Sequence, residues 1–148
     1  MKKLLMITIL WLMTIATIQA QSGLNISPLF DGKIIPQQRM VETRVKGKML
    51  SKYKLTFFRS VRFQADSKQE ITRVRDLIEL DNKENPGFAY AENYSSEKSH
   101  SKETLMLQLP KSGNQNRFLC YKRKGEEIVV IYMEGTLNSL ETLRELIK

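Results

Sequence analysis

Four acids in this chain stand beside apolar or strand-forming residues: Asp31, Glu42, Glu92 and Glu134. Two carboxylates flanking a glycosidic bond can act as acid and base, so these four are the candidates for hydrolytic chemistry. Glu134 precedes Gly135 at the end of an apolar run, a place where sites can form, although an acid there more often ends a strand in solvent. By residue type the other option is a thiol–imidazole pair. It would need Cys120 and His100, the one cysteine and the one histidine, to meet in space, and nothing in the spacing brings them together. Cys120 lies in Phe118-Leu119-Cys120-Tyr121, an apolar setting that suits a small buried hydrophobe. Gly-rich phosphate loops, nucleophile elbows and paired His or Cys metal spacings are missing. The residues therefore call for no metal and no cofactor, and they name no catalytic group.

Charge is the stronger signal. Between Lys33 and Phe63 stand Lys33, Arg39, Arg44, Lys46, Lys48, Lys52, Lys54, Arg59 and Arg62, against Glu42 alone. If the two strands expected here form, Arg44, Lys46, Lys54 and Arg62 leave the core by the same kind of face. Such a surface attracts an anion through its summed field: an anionic lipid, an acidic glycan or an acidic protein. Lysines on an outward face also merely solvate a sheet and blunt its edge. Nucleic acid is disfavoured, since the aromatic-and-glycine signatures of RNA binding are absent. A row of Phe88, Tyr90 and Tyr94 could receive sugar rings, although such rows usually pack against a helix or a neighbouring strand.

The elements that must position these residues follow from periodicity. Lys2 and Lys3, the apolar stretch from Leu4 to Ile18 and the small residue Ala20 read as a secretory signal peptide over residues 1–20. The stretch is short for a membrane span, which wants ~20 apolar residues, so no transmembrane helix is expected to be retained. Removing residues 1–20 from the 148 leaves 128, and losing Lys2 and Lys3 from a net +8 leaves +6. That length makes one domain with a proper core. A lone cysteine excludes any intrachain disulfide. A bacterial periplasm, or the cell exterior, suits such a chain better than a disulfide-rich secretory route.

Residues 21–38 read as an irregular N-terminal segment punctuated by Gly23, Pro28, Gly32 and Pro36. The single domain is expected over 39–148. Asn25-Ile26-Ser27 and Asn93-Tyr94-Ser95 are glycosylation triplets, of little weight in a bacterium. Val41 to Lys46 alternates as a half-buried strand. Lys48 to Lys52 is a turn or short helix. Tyr53 to Phe63 alternates again, with Arg59 interrupting its apolar face; Leu50, Tyr53, Phe57 and Val61 would also suit the start of a helix. Ser67-Lys68-Gln69-Glu70 is a capping box and opens a helix over about 68–82. Strands follow at Phe88–Tyr94, Thr104–Leu109, Arg117–Lys122 and Ile128–Met133, the last apolar throughout, as a central strand is. Lys124-Gly125 signals a hairpin. Asn138-Ser139-Leu140-Glu141 starts a closing helix that buries Leu140, Leu143 and Ile147. The fold class is α+β: a mainly antiparallel sheet of five or six strands with one central and one C-terminal helix.

Pro28-Leu29-Phe30-Asp31-Gly32, Val45-Lys46-Gly47-Lys48, Phe58-Arg59-Ser60 and Val130-Ile131-Tyr132-Met133-Glu134-Gly135 together resemble a family of small exported proteins of Bacteroides-type bacteria, a domain of unknown function. The resemblance implies an exported location and single-domain size. It brings no activity, ligand or site residue. The expectation is an exported binding module that contacts an anionic partner through Arg44, Lys46, Lys54 and Arg62. A carboxylate-dependent hydrolase of envelope polymers and a self-associating structural subunit are the alternatives.

Overall fold

The computed structural model describes residues 23–84, 89–94, 102–138 and 140–146. The apolar leader stretch and His100 lie outside the described residues. Among the described residues six strands form one antiparallel sheet: β1 (Met40–Lys46), β2 (Leu55–Gln64), β3 (Ala89–Tyr94), β4 (Lys102–Ser112), β5 (Gln115–Lys124) and β6 (Glu127–Gly135). Their spatial order is β1-β2-β6-β5-β4-β3. The helices among the described residues are α1 (Ser27–Phe30), α2 (Lys68–Glu84) and α3 (Leu140–Leu146), with 3-10 turns at Gln37–Arg39 and Lys48–Tyr53. The class is thus α+β, with most of the regular structure in the sheet.

The topology follows from link lengths. Tight turns make β4, β5 and β6 a meander, and Gly125 supplies the positive φ of 62° that the β5–β6 turn needs. The stretch carrying α2 is long enough to take the chain from β2 to the far edge, where among the described residues β3 pairs only with β4. The meander then returns until β6 lands against β2, in register from Phe57↔Glu134 to Gln64↔Glu127. The apolar run Ile128–Met133 is therefore in the middle of the sheet and buried along most of its length.

Both faces of that middle are covered. One face carries Val61, Phe63, Leu107, Leu119, Tyr121, Val130 and Tyr132, packed under Val74 and Ile78 of α2. The opposite face carries Met106, Phe118, Cys120 and Met133, closed by Leu50 and by Leu143 of α3. Burying each large apolar side chain contributes roughly 1.5–3 kcal/mol.

The capping residues ahead of α2 act much as their types require. The Glu70 backbone N–H donates to Ser67 Oγ at 3.3 Å, while Glu70 Oε2 accepts from the Asp66 N–H at 2.9 Å. Arg39 adds a two-pronged grip on the same carboxylate, at 2.8 and 2.9 Å. That guanidinium holds the Glu70 carboxyl below its ordinary value.

Residues 24–35, read from the sequence as part of an irregular segment ahead of the domain, belong to the core of the first face. Leu24, Ile26, Leu29, Phe30 and Ile35 are all buried there. Their anchor is Asp81, inside α2 and without solvent exposure. Its carboxylate accepts the Asn25 N–H at 2.7 Å and the Ile26 N–H at 3.0 Å. These are backbone donors at the entrance to α1 that its own hydrogen bonds leave unmet. Burial pushes the Asp81 carboxyl above its ordinary value, and the donated N–H groups oppose that rise.

Candidate functional site

The register decides where the four basic residues expected to share a face go. Arg44 pairs with Arg59, and Lys46 with Phe57, so both stand on the face covered by α2. Arg62 pairs with Val41 and Val129, on the opposite face. Lys54 precedes β2 in a left-handed conformation, φ 58°. The expected single basic face is thus divided by the alternation of the strands.

Each of these side chains has its own setting. Arg44 meets Glu42 at 3.2 Å. Lys46 lies over the Phe57 ring, 5.7 Å from its centroid. Arg62 meets Glu127 at 3.0 Å. Arg59, the interruption noted in the apolar alternation, is buried: it donates to Glu42 at 2.9 Å and to the Phe30 carbonyl at 3.0 Å. The acidic half of this pairing explains the inward turn, because a buried guanidinium must have charge and acceptors around it.

A different basic surface occurs on the face closed by α3, at the end that α3 does not reach. There Lys102 and Lys124 oppose each other directly across β4 and β5, and Thr104 opposes Lys122 in the next pairs. These side chains rim an open trough of about 390 Å³ with Glu127, over a floor that includes Val129 and Ile131. Arg62 joins the rim through its ion pair with Glu127. Like charges directly opposite on a sheet repel, and Glu127, which faces Lys124 from β6, offsets part of that repulsion. An anion placed between the two lysines would relieve the rest. The sequence hint was the alternation Lys102, Thr104 and Lys122, Lys124, which becomes one surface only through the β4–β5 register.

The candidate acids divide by setting. Glu42 serves Arg59 and Arg44. Glu134 accepts the Tyr132 hydroxyl at 2.5 Å, while Arg117 donates to the same hydroxyl oxygen at 2.8 Å. Asp31 is exposed in a shallow hollow with Gly32 and Lys33. The side chain of Glu92 is outside the described residues, as are the side chains of the Phe88, Tyr90 and Tyr94 row. Glu103, which also borders the trough, is engaged by Arg75 at 3.1 Å and Arg123 at 3.4 Å. Cys120 is fully buried, and its thiol is pushed up to about 12 by loss of water. Among the described residues no group of three or more His, Cys, Asp or Glu side chains could hold a metal ion, and no helix is long and apolar enough to cross a membrane.

A family model matches residues 13–147, and its description is a family of unknown function, DUF6108. The chain belongs to this family. No curated protein and no solved structure matches it. The match spans the N-terminal packing segment, all six strands and α3, so the trough of this DUF6108 chain lies within the family's own extent.

Proposed function

We propose that the chain is an exported binding module that holds an anionic group of an envelope or extracellular molecule in the Lys102–Lys122–Lys124 trough. The observation that carries this reading is the direct opposition of Lys102 and Lys124 across β4 and β5. Arg62 and Lys122 add positive charge at this site, Glu127 offsets part of it, and Val129 and Ile131 offer apolar contact beside it. A phosphate or carboxylate seated there gains charge-assisted hydrogen bonds. The apolar floor favours a ligand with a hydrocarbon or sugar-ring body next to its charge. The leader-like residues 1–20 support export to a bacterial periplasm or cell exterior.

A carboxylate-dependent hydrolase has less support, because Glu103, Glu42 and Glu134 are each occupied by arginine or tyrosine partners. The test is binding of the purified protein to a sulfated polysaccharide and to its uncharged parent, at low and high salt. Retention on the sulfated form only, weakening with salt, is expected. Lys102→Glu and Lys124→Glu should each cut it about tenfold, while Lys46→Glu leaves it close to the parent. Equal loss from Lys46→Glu, or none from the trough variants, overturns the reading.

A further inference from the structure

The sheet ends at β1, whose outer edge pairs with no strand among the described residues. The Gly47 N–H donates to the Thr56 carbonyl at 3.3 Å. Hydrogen-bonded pairs recur every second residue in an antiparallel ladder, so Val41, Thr43 and Val45 turn their backbone groups toward β2. Met40, Glu42, Arg44 and Lys46 turn theirs outward. An open row of this kind is a template for another strand.

The side chains along that row say which strand fits. Read from Thr43 outward, Val41-Glu42-Thr43-Arg44-Val45 is complementary to itself, while Met40 would face Lys46 at the ends. An antiparallel copy turned about Thr43 sets Glu42 opposite Arg44 and Arg44 opposite Glu42. It also sets Val41 opposite Val45, and Thr43 opposite Thr43. The outward backbone groups of Glu42 and Arg44 then meet as hydrogen-bonded pairs, and Thr43 meets its twin in a non-hydrogen-bonded pair, as the alternation demands. Val41 is 67 % exposed, and the partner's Val45 would cover it.

We propose that two copies of this chain associate through β1, antiparallel about a two-fold axis at Thr43, to make one continuous twelve-stranded sheet. The interface is isologous, as closed dimers require. Opposite-charge and β-branched cross-strand pairs supply its specificity. The contact is small beside the ~1,600 Å² of a standard interface, so the dimer is weak and its mass must be followed up to roughly 1 mM protein.

Cysteine linking reads the register directly. Thr43→Cys places one exposed thiol against its twin at a spacing a disulfide can bridge, while the native Cys120 is buried. Under mild oxidation Thr43→Cys should give a covalent dimer at least tenfold faster than Val41→Cys, whose thiol faces Val45 instead. A mixture of Val41→Cys and Val45→Cys should link as heterodimers. Charge reversal gives a second reading. Arg44→Glu should raise the dimer dissociation constant about tenfold, and mixing it with Glu42→Arg should restore association. If Glu42→Arg does not fold, Val41→Lys takes its place as a second weakening variant. A protein monomeric throughout the concentration range, equal linking rates at positions 41 and 43, or indifference to Arg44→Glu overturns the proposal. None of these results depends on the lysine trough, which lies on β4 and β5.

Discussion

Asp81 holds Ile26: a carboxylate in the last turn of α2 accepts the Ile26 backbone N–H at 3.0 Å across fifty-five residues of sequence. The same carboxylate takes the Asn25 N–H at 2.7 Å and its side-chain amide at 3.2 Å. One side chain in α2 thereby fixes the entry of the segment that buries Leu24, Ile26, Leu29 and Phe30. Asp81→Ala would leave two backbone donors without their charged acceptor, at a cost of about 3 kcal/mol. The expected drop in Tm is about 10 °C. A calorimetric scan showing a shift under 2 °C would mean the clamp is dispensable.

The Arg39–Glu70 pair gives the stability an acid limb. The carboxyl of Glu70 lies below its ordinary 4.5 in the folded state, chiefly through its hydrogen bond to Arg39. Its contribution is therefore complete above about pH 4.5 and is lost as pH falls through the lowered folded value. Asp81 has the opposite sign. Its raised value makes the folded state bind a proton more readily than the unfolded chain, so its penalty on the folded state shrinks as pH falls. Glu70→Gln should flatten the loss of stability below pH 4.5, measured by urea unfolding across pH 3 to 6. An unchanged pH slope would assign the acid limb to other carboxyls.

Gly135 should not tolerate alanine. A Cβ there would come within 2.2 Å of the Lys54 carbonyl oxygen and 2.6 Å of Leu55 Cα, both backbone atoms that cannot swing aside. Gly135→Ala is expected to destabilise by about 3 kcal/mol. Full retention of the parent unfolding midpoint would contradict the close approach.

Lys54 behaves in the reverse way. Its φ of 58° is the left-handed conformation, which costs a side-chain-bearing residue about 1 kcal/mol relative to glycine. Lys54→Gly should raise stability by up to ~1 kcal/mol and leave binding to the sulfated polymer unchanged. A loss of binding in that variant would return Lys54 to the site.

Cys120 should be silent toward thiol reagents in the native protein. Its thiol, pushed up to about 12 by burial, is un-ionised at pH 8. Labelling should proceed only as fast as the protein opens and should become rapid in denaturant. Prompt labelling of the native form would show that the Phe118–Cys120 layer is open.

Local signals carried much of the fold. Ser67 and Glu70 announced the start of a helix by types and spacing alone, and the unbroken apolar run of Ile128–Met133 announced a strand with two covered faces. What local patterns could not give was register. Alternation in β1 and in β2 separates polar from apolar sides within each strand, but it does not say that the polar side of β1 lies beside the apolar side of β2. Arg59 was the one clue: an arginine on an apolar face needs an acid, and Glu42 on the neighbouring strand is that acid. The lysine trough was hidden for the same reason, because Lys102 and Lys124 are adjacent only through pairing. The N-terminal segment was hidden by its glycines and prolines, which disguised five core residues as a loop.

The strand in the middle of the sheet is the last to leave the ribosome. Until Glu127–Gly135 has been made, β2 has no neighbour on its inner side and β5 has none on its outer side. Earlier hairpins can therefore form only as two separate ribbons. In the finished sheet β6 joins β1 and β2 on one side to β5, β4 and β3 on the other. A chain released early, short of β6, would carry two raw sheet edges and would be a candidate for clumping with its own kind.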